Sequence, residues 1–431
     1  MKEKSTGILI SKFIFFFPLL FFSKSSLAQS IPDSFFIDIS KVDRYESFRA
    51  KSEIAFLSKD LSLAASYNKL AFKNAFLLKG DIPSKLIALK PILRFFAINR
   101  SDESDSAWFF PGIFYSNIQL YRLSENGLIK LQNVMPPSDD SIGYRLLTLA
   151  PHDSATFFAE LTFVKTYTNT IRPRLIQVSH LSSFIYDISY GHRFLNIITY
   201  LFCGLFLMMI FFSLANYMLG ANREFLYYAG YALFLGALLF TKTYYDYRTN
   251  RFAFFLEAYL DFILQCSGIV FYMIFMQKFL STRIKYLFLD RLYNIGVIGL
   301  LISMSLFSYV YFFTDNFIFL NNVENLTKTL LLAMMVIFLV YCLRHWKDKL
   351  LRYLFWGNLF YFFFAVFSQL LIVLGRFLGN LPSVFNFSIF YYELGIFLEL
   401  VFFLAGLSYK NKRQIIEQTR ERERLRMENE R

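Results

Sequence analysis

Between Phe194 and Leu407 the chain carries seven apolar stretches separated by short charged segments. A water-soluble domain has no use for so many long apolar runs in succession, so the pattern reads as a membrane bundle. The runs are approximately Phe194 to Tyr217, Phe225 to Phe240, Phe252 to Phe275, Leu292 to Phe313, Leu326 to Leu343, Tyr353 to Leu374 and Ile389 to Leu407. Backbone amides in hydrocarbon must bond within their own segment, so each run is expected to be a helix. The second is short for a crossing. Phe is unusually common, at 56 of 431 residues, and apolar residues make up 56% of the chain.

The N-terminus has the marks of an export signal. Lys2, Lys4 and Lys12 precede the apolar run Phe13 to Phe22, and Ser26-Leu27-Ala28 supplies the small residues at which such signals are cut. Residues 1–28 are therefore expected to be a signal peptide, and 29–190 an exported domain. Seven crossings within residues 191–409 would then leave 410–431 in the cytoplasm. Loop charges test this orientation: nine basic residues fall in the expected inner loops (Arg223, Lys278, Arg283, Lys285, Arg291, Arg344, Lys347, Lys349, Arg352). Five fall in the outer loops and span edges (Lys242, Arg248, Arg251, Lys328, Arg376), as the positive-inside bias requires. Much of the net charge of +13 lies in these inner loops and the tail, where the membrane surface favours Lys and Arg. No basic stripe on a soluble module is left for nucleic acid. All three cysteines, Cys203, Cys266 and Cys342, fall in the spans and read as small packing residues, so the exported domain is expected to fold without disulfides.

Period-two runs place strands at Leu93 to Ile98, Trp108 to Tyr115, Ile118 to Tyr121, Leu128 to Leu131, Tyr144 to Leu149 and Thr156 to Phe163. Between them lie turn signals such as Glu125-Asn126-Gly127 and Pro136-Pro137-Ser138-Asp139-Asp140. Short strands at this spacing predict an all-β sandwich or jelly roll, while Glu46 to Leu78 reads as loops or a short helix. Trp108, Tyr115, Tyr121 and Tyr144 are candidates to stack on a sugar ring, although strand aromatics more often form the core. His152 and His180 have no metal-ligand spacing around them and read as surface or turn residues.

Acidic residues inside a span are costly and face a partner or water. Glu257 and Asp261, four apart on the third span, and Glu393 and Glu399 on the seventh are expected to form a buried polar network, with Lys328 or Arg376 as counter-charges. The competing reading is a proton or cation pathway in a transporter, although no Gly/Pro break or inverted repeat supports it. There is no HExxH, GxSxG, Walker loop or paired CxxC, so neither catalysis nor a metal or organic cofactor is expected.

Three stretches carry a resemblance: LRFFAINRSDESDSAWFFPGIFYSNIQLYRL from Leu93 with YRLLTLAPHDSATFFAEL from Tyr144, NREFLYYAGYALF from Asn222, and YYELGIFLELVFFLAGLSYKNKR from Tyr391. In their order they resemble the bacterial seven-transmembrane receptors with diverse intracellular signalling modules, and the exported part is similar to their type 2, jelly-roll-like extracellular domain. The resemblance implies a receptor in the inner membrane, a small and carbohydrate-like extracellular ligand, and a cytoplasmic output. Many members have a Trp where Pro91-Ile92-Leu93 stands here. The tail from Lys410 to Arg431 is dense in Glu and Arg and reads as a helix continuing the seventh span, with Glu417–Arg420 and Glu421–Arg424 as i,i+3 pairs. It contains no His to accept phosphate, so the output is expected from a partner such as a histidine kinase, with paired tails in a homodimer. Alternatively, the chain is the sensor fragment of a longer receptor kinase.

Overall fold

The computed structural model describes residues 35–77, 82–166, 168–191, 193–220, 222–374 and 388–430. The expected signal peptide and Arg376 lie outside the described residues. Residues 36 to 177 form the expected sandwich, built from two sheets. The larger has the order β4-β3-β5-β10-β7-β8, with β1 paired in parallel to β5. Its strands are β1 Phe36–Asp38, β3 Glu53–Leu57, β4 Lys73–Asn74, β5 Lys90–Ile98, β7 Tyr115–Ser124, β8 Gly127–Lys130 and β10 Ser154–Phe163. The smaller sheet has the order β2-β11-β6-β9, from Tyr45–Ser47, Arg174–Gln177, Asp105–Phe110 and Arg145–Leu149.

The alternation of β5 and β10 turns Phe95 and Phe157 inward, where their rings stack 5.6 Å apart, and Phe109 of the facing sheet stacks on Phe95 at 5.3 Å. Each such ring buried contributes about 2 kcal/mol of transfer free energy. The opposite face of β5 and β10 is covered too. Ile92 and Phe158 pack under Leu63, Tyr67, Leu70 and Phe72, so the segment expected to hold loops or a short helix supplies both a lid and the strands β3 and β4.

The run Trp108 to Tyr115 is not one strand. It breaks at Pro111-Gly112, where proline offers no amide and Gly112 has φ +137°. A Cβ on Gly112 would meet the Thr170 carbonyl at 2.1 Å. The chain therefore turns there, and Tyr115 begins the next strand. Helix Leu181–Tyr190 then lays Leu181 and Phe184 over Trp108, Phe110 and Tyr144 on the outer face of the small sheet.

Seven helices long and apolar enough to cross a membrane follow: Arg193–Gly220, Arg223–Tyr245, Arg251–Leu280, Leu287–Phe313, Phe317–Arg344, Lys349–Ser368 and Ile389–Asn429. The second outruns its apolar stretch at both ends, which resolves its apparent shortness. Spans two and three approach closely at Gly230, where a Cβ would meet the Phe271 ring at 2.4 Å, the small-residue contact that membrane helices favour. The seventh helix continues from Ser388 to Asn429 without interruption, taking the tail with it.

Candidate functional site

The sandwich does not merely hang from the first span. Two of its loops are joined by hydrogen bonds to the ends of the membrane helices, and the outer face of its small sheet shares a core with the third span. In that core Phe114 lies 6.1 Å from Phe254, and Ala258 is buried beside them.

The first loop precedes β9. Asp140 accepts hydrogen bonds from the Thr249 amide at 3.1 Å and the Asn250 side-chain amide at 3.2 Å, while its backbone carbonyl accepts from the Thr249 hydroxyl at 2.9 Å. The Ile142 amide donates to the Thr249 carbonyl at 3.3 Å. Asn250 in turn caps the third span by accepting from the Ala253 amide at 2.8 Å. Burial of Asp246, in the same connection between spans two and three, raises its carboxyl to about 7. Glu257 adds to that rise and Lys242 opposes it.

The second loop follows β10. Lys165 donates to the carbonyls of Thr314 at 2.8 Å and Tyr311 at 3.2 Å, and pairs with Asp315 at 3.2 Å. A cation thus sits on the carbonyl end of the fourth span, where the helix dipole favours it. Thr168 and Thr166 donate to one oxygen of Glu257 at 3.0 and 3.3 Å. Glu257 stands in a widened π-helical turn, Leu256–Leu260, which interrupts the third span beside the loop. Buried Asn169 holds the loop by donating to the Val164 and Thr166 carbonyls. A cavity of about 10 Å³, room for one water, lies among Lys165, Thr166, Glu257, Asp261, Asn321 and Glu324.

The four intramembrane carboxylates occupy three settings. Glu257 faces the sandwich, and Asp261 pairs with Lys242 of the second span at 3.0 Å. Glu393 is fully buried and accepts from Thr199 of the first span at 2.5 Å, with its other oxygen lacking a hydrogen-bond partner among the described residues. Glu399, also buried, accepts from Tyr231 of the second span at 2.9 Å. Lys328 pairs with Glu324 of its own helix at 2.5 Å. Near the far end, Lys410 bridges Glu224 of the second span at 2.7 Å and the Phe279 carbonyl of the third at 2.8 Å. The seventh span is therefore held at three levels by the spans packed around it.

The aromatic candidates are distributed unevenly. Trp108, Tyr115 and Tyr144 are buried, and Tyr115 donates its hydroxyl to the Thr170 carbonyl at 2.9 Å. None of the three presents an open ring face. Tyr121 is half-buried on the outer face of the large sheet, donating to Glu160 at 2.9 Å, and Glu160 pairs with Lys90 at 3.0 Å. Arg94, paired with Glu53 on that face, lies 4.3 Å over the Phe72 ring. The residues that fasten sandwich to bundle, Asp140, Lys165, Thr166 and Thr168, had no signal in the sequence, because a polar loop residue looks the same whether it meets water or a helix end. His152 contacts Asp102 at 2.8 Å in an exposed turn, and His180 lies beside Ser179. No group of three metal-ligating side chains occurs among the described residues. The three cysteines are free, with Cys266 and Cys342 buried.

A family model described as 7TM diverse intracellular signalling matches residues 195–410, half of the chain. The chain belongs to this family. It is accordingly a multi-pass, seven-transmembrane receptor-type protein of transmembrane signalling, and the β-rich domain before the spans agrees with that membership. Neither a curated protein nor a solved structure matches the chain.

Proposed function

We propose that this receptor takes a small ligand on its sandwich, on the periplasmic side of a bacterial inner membrane, and passes the event through the seven helices to the tail on the cytoplasmic side. The observation that carries the reading is the double anchorage of the sandwich. One loop holds the connection between spans two and three through Asp140, and the other caps span four through Lys165 and grips span three through Glu257. A shift in the sandwich is felt at once by three helix ends. The second and third spans hold the seventh through Glu399 and Lys410, and the seventh continues into the tail.

The ligand face that fits best is the part of the large sheet's outer face around Tyr121, half-buried beside the cover formed by Leu63, Tyr67, Leu70 and Phe72. Aromatic rings there lie beside Glu160, Lys90 and Arg94, the pairing of flat apolar and hydrogen-bonding groups that suits a carbohydrate. The output belongs to a partner, a histidine kinase being the expected class, with no catalysis by the residues of this chain and two tails side by side in a homodimer. The small cavity among Glu257, Asp261 and Glu324 favours a second reading, a cation pathway in a transporter.

A single experiment separates the two. Spin labels on Glu417→Cys and Lys347→Cys, in a full chain lacking its native cysteines and held in nanodiscs, report the tail position. Loosening the junction with Lys165→Ala and Asp140→Ala should change the tail distance distribution in a receptor. An unchanged tail, together with ion flux in proteoliposomes that Glu257→Gln abolishes, would establish the transporter instead.

A further inference from the structure

The end of the bundle away from the sandwich holds a cleft of about 500 Å³, between the third-to-fourth connection, the fifth-to-sixth connection and the start of the tail. Its lining includes Lys285, Lys347, Lys349, Lys410 and Arg413. Lys410 is already taken by Glu224, and Arg413 by Glu417 at 2.8 Å. Asp348 accepts from the Tyr286 hydroxyl and the Leu350 amide. Lys285, Lys347 and Lys349 have no ion-pair or hydrogen-bond partner among the described residues, and all three are exposed. Basic residues at one end of a bundle need no special ligand. Three unpaired ammonium groups around one cleft go beyond that bias.

The level of the cleft in the membrane indicates what would fill it. Trp346 and Trp356, both exposed and 6.4 Å apart, mark the interfacial belt beside it. Ile284, Leu287 and Phe288 stand exposed at its lip, on the entry to the fourth span. Ammonium groups at headgroup depth with apolar side chains running into the hydrocarbon match a molecule with a phosphate head and acyl tails. A water-soluble anion or an acidic peptide has no use for the apolar lip.

We propose that this cleft binds the phosphate headgroup of an anionic phospholipid through Lys285, Lys347 and Lys349. The site stands apart from the receptor reading and needs only that the bundle lies in a bilayer. If that reading holds, the bound lipid also touches the tail, because Arg413 and Gln414 form one wall of the cleft.

The test is native mass spectrometry of the full chain in mild detergent, titrated with phosphatidylglycerol or with phosphatidylcholine of the same acyl chains. Phosphatidylglycerol should bind at least about tenfold more tightly. The triple variant Lys285→Gln, Lys347→Gln, Lys349→Gln should lose the preference, and the corresponding triple Arg variant should keep it, which separates loss of charge from loss of fold. The charge-matched variant Arg291→Gln, Arg344→Gln, Lys412→Gln should behave as the wild type. No preference in the wild type, or equal loss in both Gln triples, would overturn the proposal. So would complete displacement of the lipid by millimolar inorganic phosphate or by a glutamate peptide, since the cleft would then serve a soluble anion or a protein partner.

Discussion

The sandwich and the helix bundle each have a core, and they treat charge in opposite ways. Between the two sheets lie stacked rings and aliphatic groups, and the buried cation Arg145 donates hydrogen bonds to the carbonyls of Ile118, Ile142 and Tyr144. The bundle instead buries Glu393 and Glu399 among tyrosines and threonine, with one Glu393 oxygen left without a partner among the described residues. The difference follows from the solvent. Water drives apolar groups together, so the sandwich gains most of its stability from rings such as Phe95 and pushes polar groups to its edges. Lipid has no preference between an apolar helix face and another lipid, so close packing and polar pairs are what select one arrangement of the spans. An arrangement chosen by a few polar pairs is also one that a few contacts can change, which suits a relay.

The strongest way to sharpen this contrast is to empty the sandwich core. Phe95→Ala should cost the sandwich about 3–5 kcal/mol while leaving the spans inserted. Limited proteolysis of the membrane-embedded chain would then cut within residues 36–177 and spare the bundle. Protection equal to the wild type would break the comparison.

Next in size is the pH dependence of the junction. The Asp246 carboxyl, raised to about 7 from an ordinary value of 3.8, binds a proton more readily in the folded state than in the unfolded chain. Stability from this group is therefore full below about pH 4 and lost as pH rises to about 7, by a few kcal/mol at most after solvent screening. Asp246→Asn should flatten that slope in the unfolding of the detergent-solubilised protein, stabilising it at pH 8 and leaving it unchanged at pH 4.

Smaller effects are expected inside the bundle. A double-mutant cycle on Tyr231→Phe and Glu399→Gln should give a coupling of about 0.6–1.7 kcal/mol, read by steric trapping in bicelles. A value near zero would mean that helix packing alone selects the arrangement. The smallest effect belongs to the solvated tail. Its pairs are Arg413–Glu417, Arg424–Glu428 and Arg426–Glu430, at i,i+4 with the cation first, in place of the i,i+3 pairs expected from the sequence. Arg424→Ala should cost about 0.3 kcal/mol and barely change the helicity measured by circular dichroism.

Much of the architecture was legible because hydrocarbon and pleated sheets both write strong periodic signals. Five strands were missed: β1, β2, β4 and β11 have two to four residues each, too few to show a period, and β3 is apolar from Ile54 to Leu57 without alternation. The break after Phe110 was written as Pro111-Gly112, but the flanking aromatics masked it. The second span looked short because its end contains Lys242, which stays in the helix by pairing with Asp261 of the next span. No single-segment pattern can show such a pair.

The sequence by itself determined seven helices, a disulfide-free β sandwich before them and a charged helix after them, because burial in lipid and alternation across a sheet act on neighbouring residues. Only the tertiary structure decided where the sandwich is fastened, which carboxylate meets which hydroxyl, and which lysines are left facing an open cleft. Those outcomes depend on groups far apart in the chain. Thr168 and Glu257, or Thr199 and Glu393, carry no mark of each other until packing brings them within a hydrogen bond.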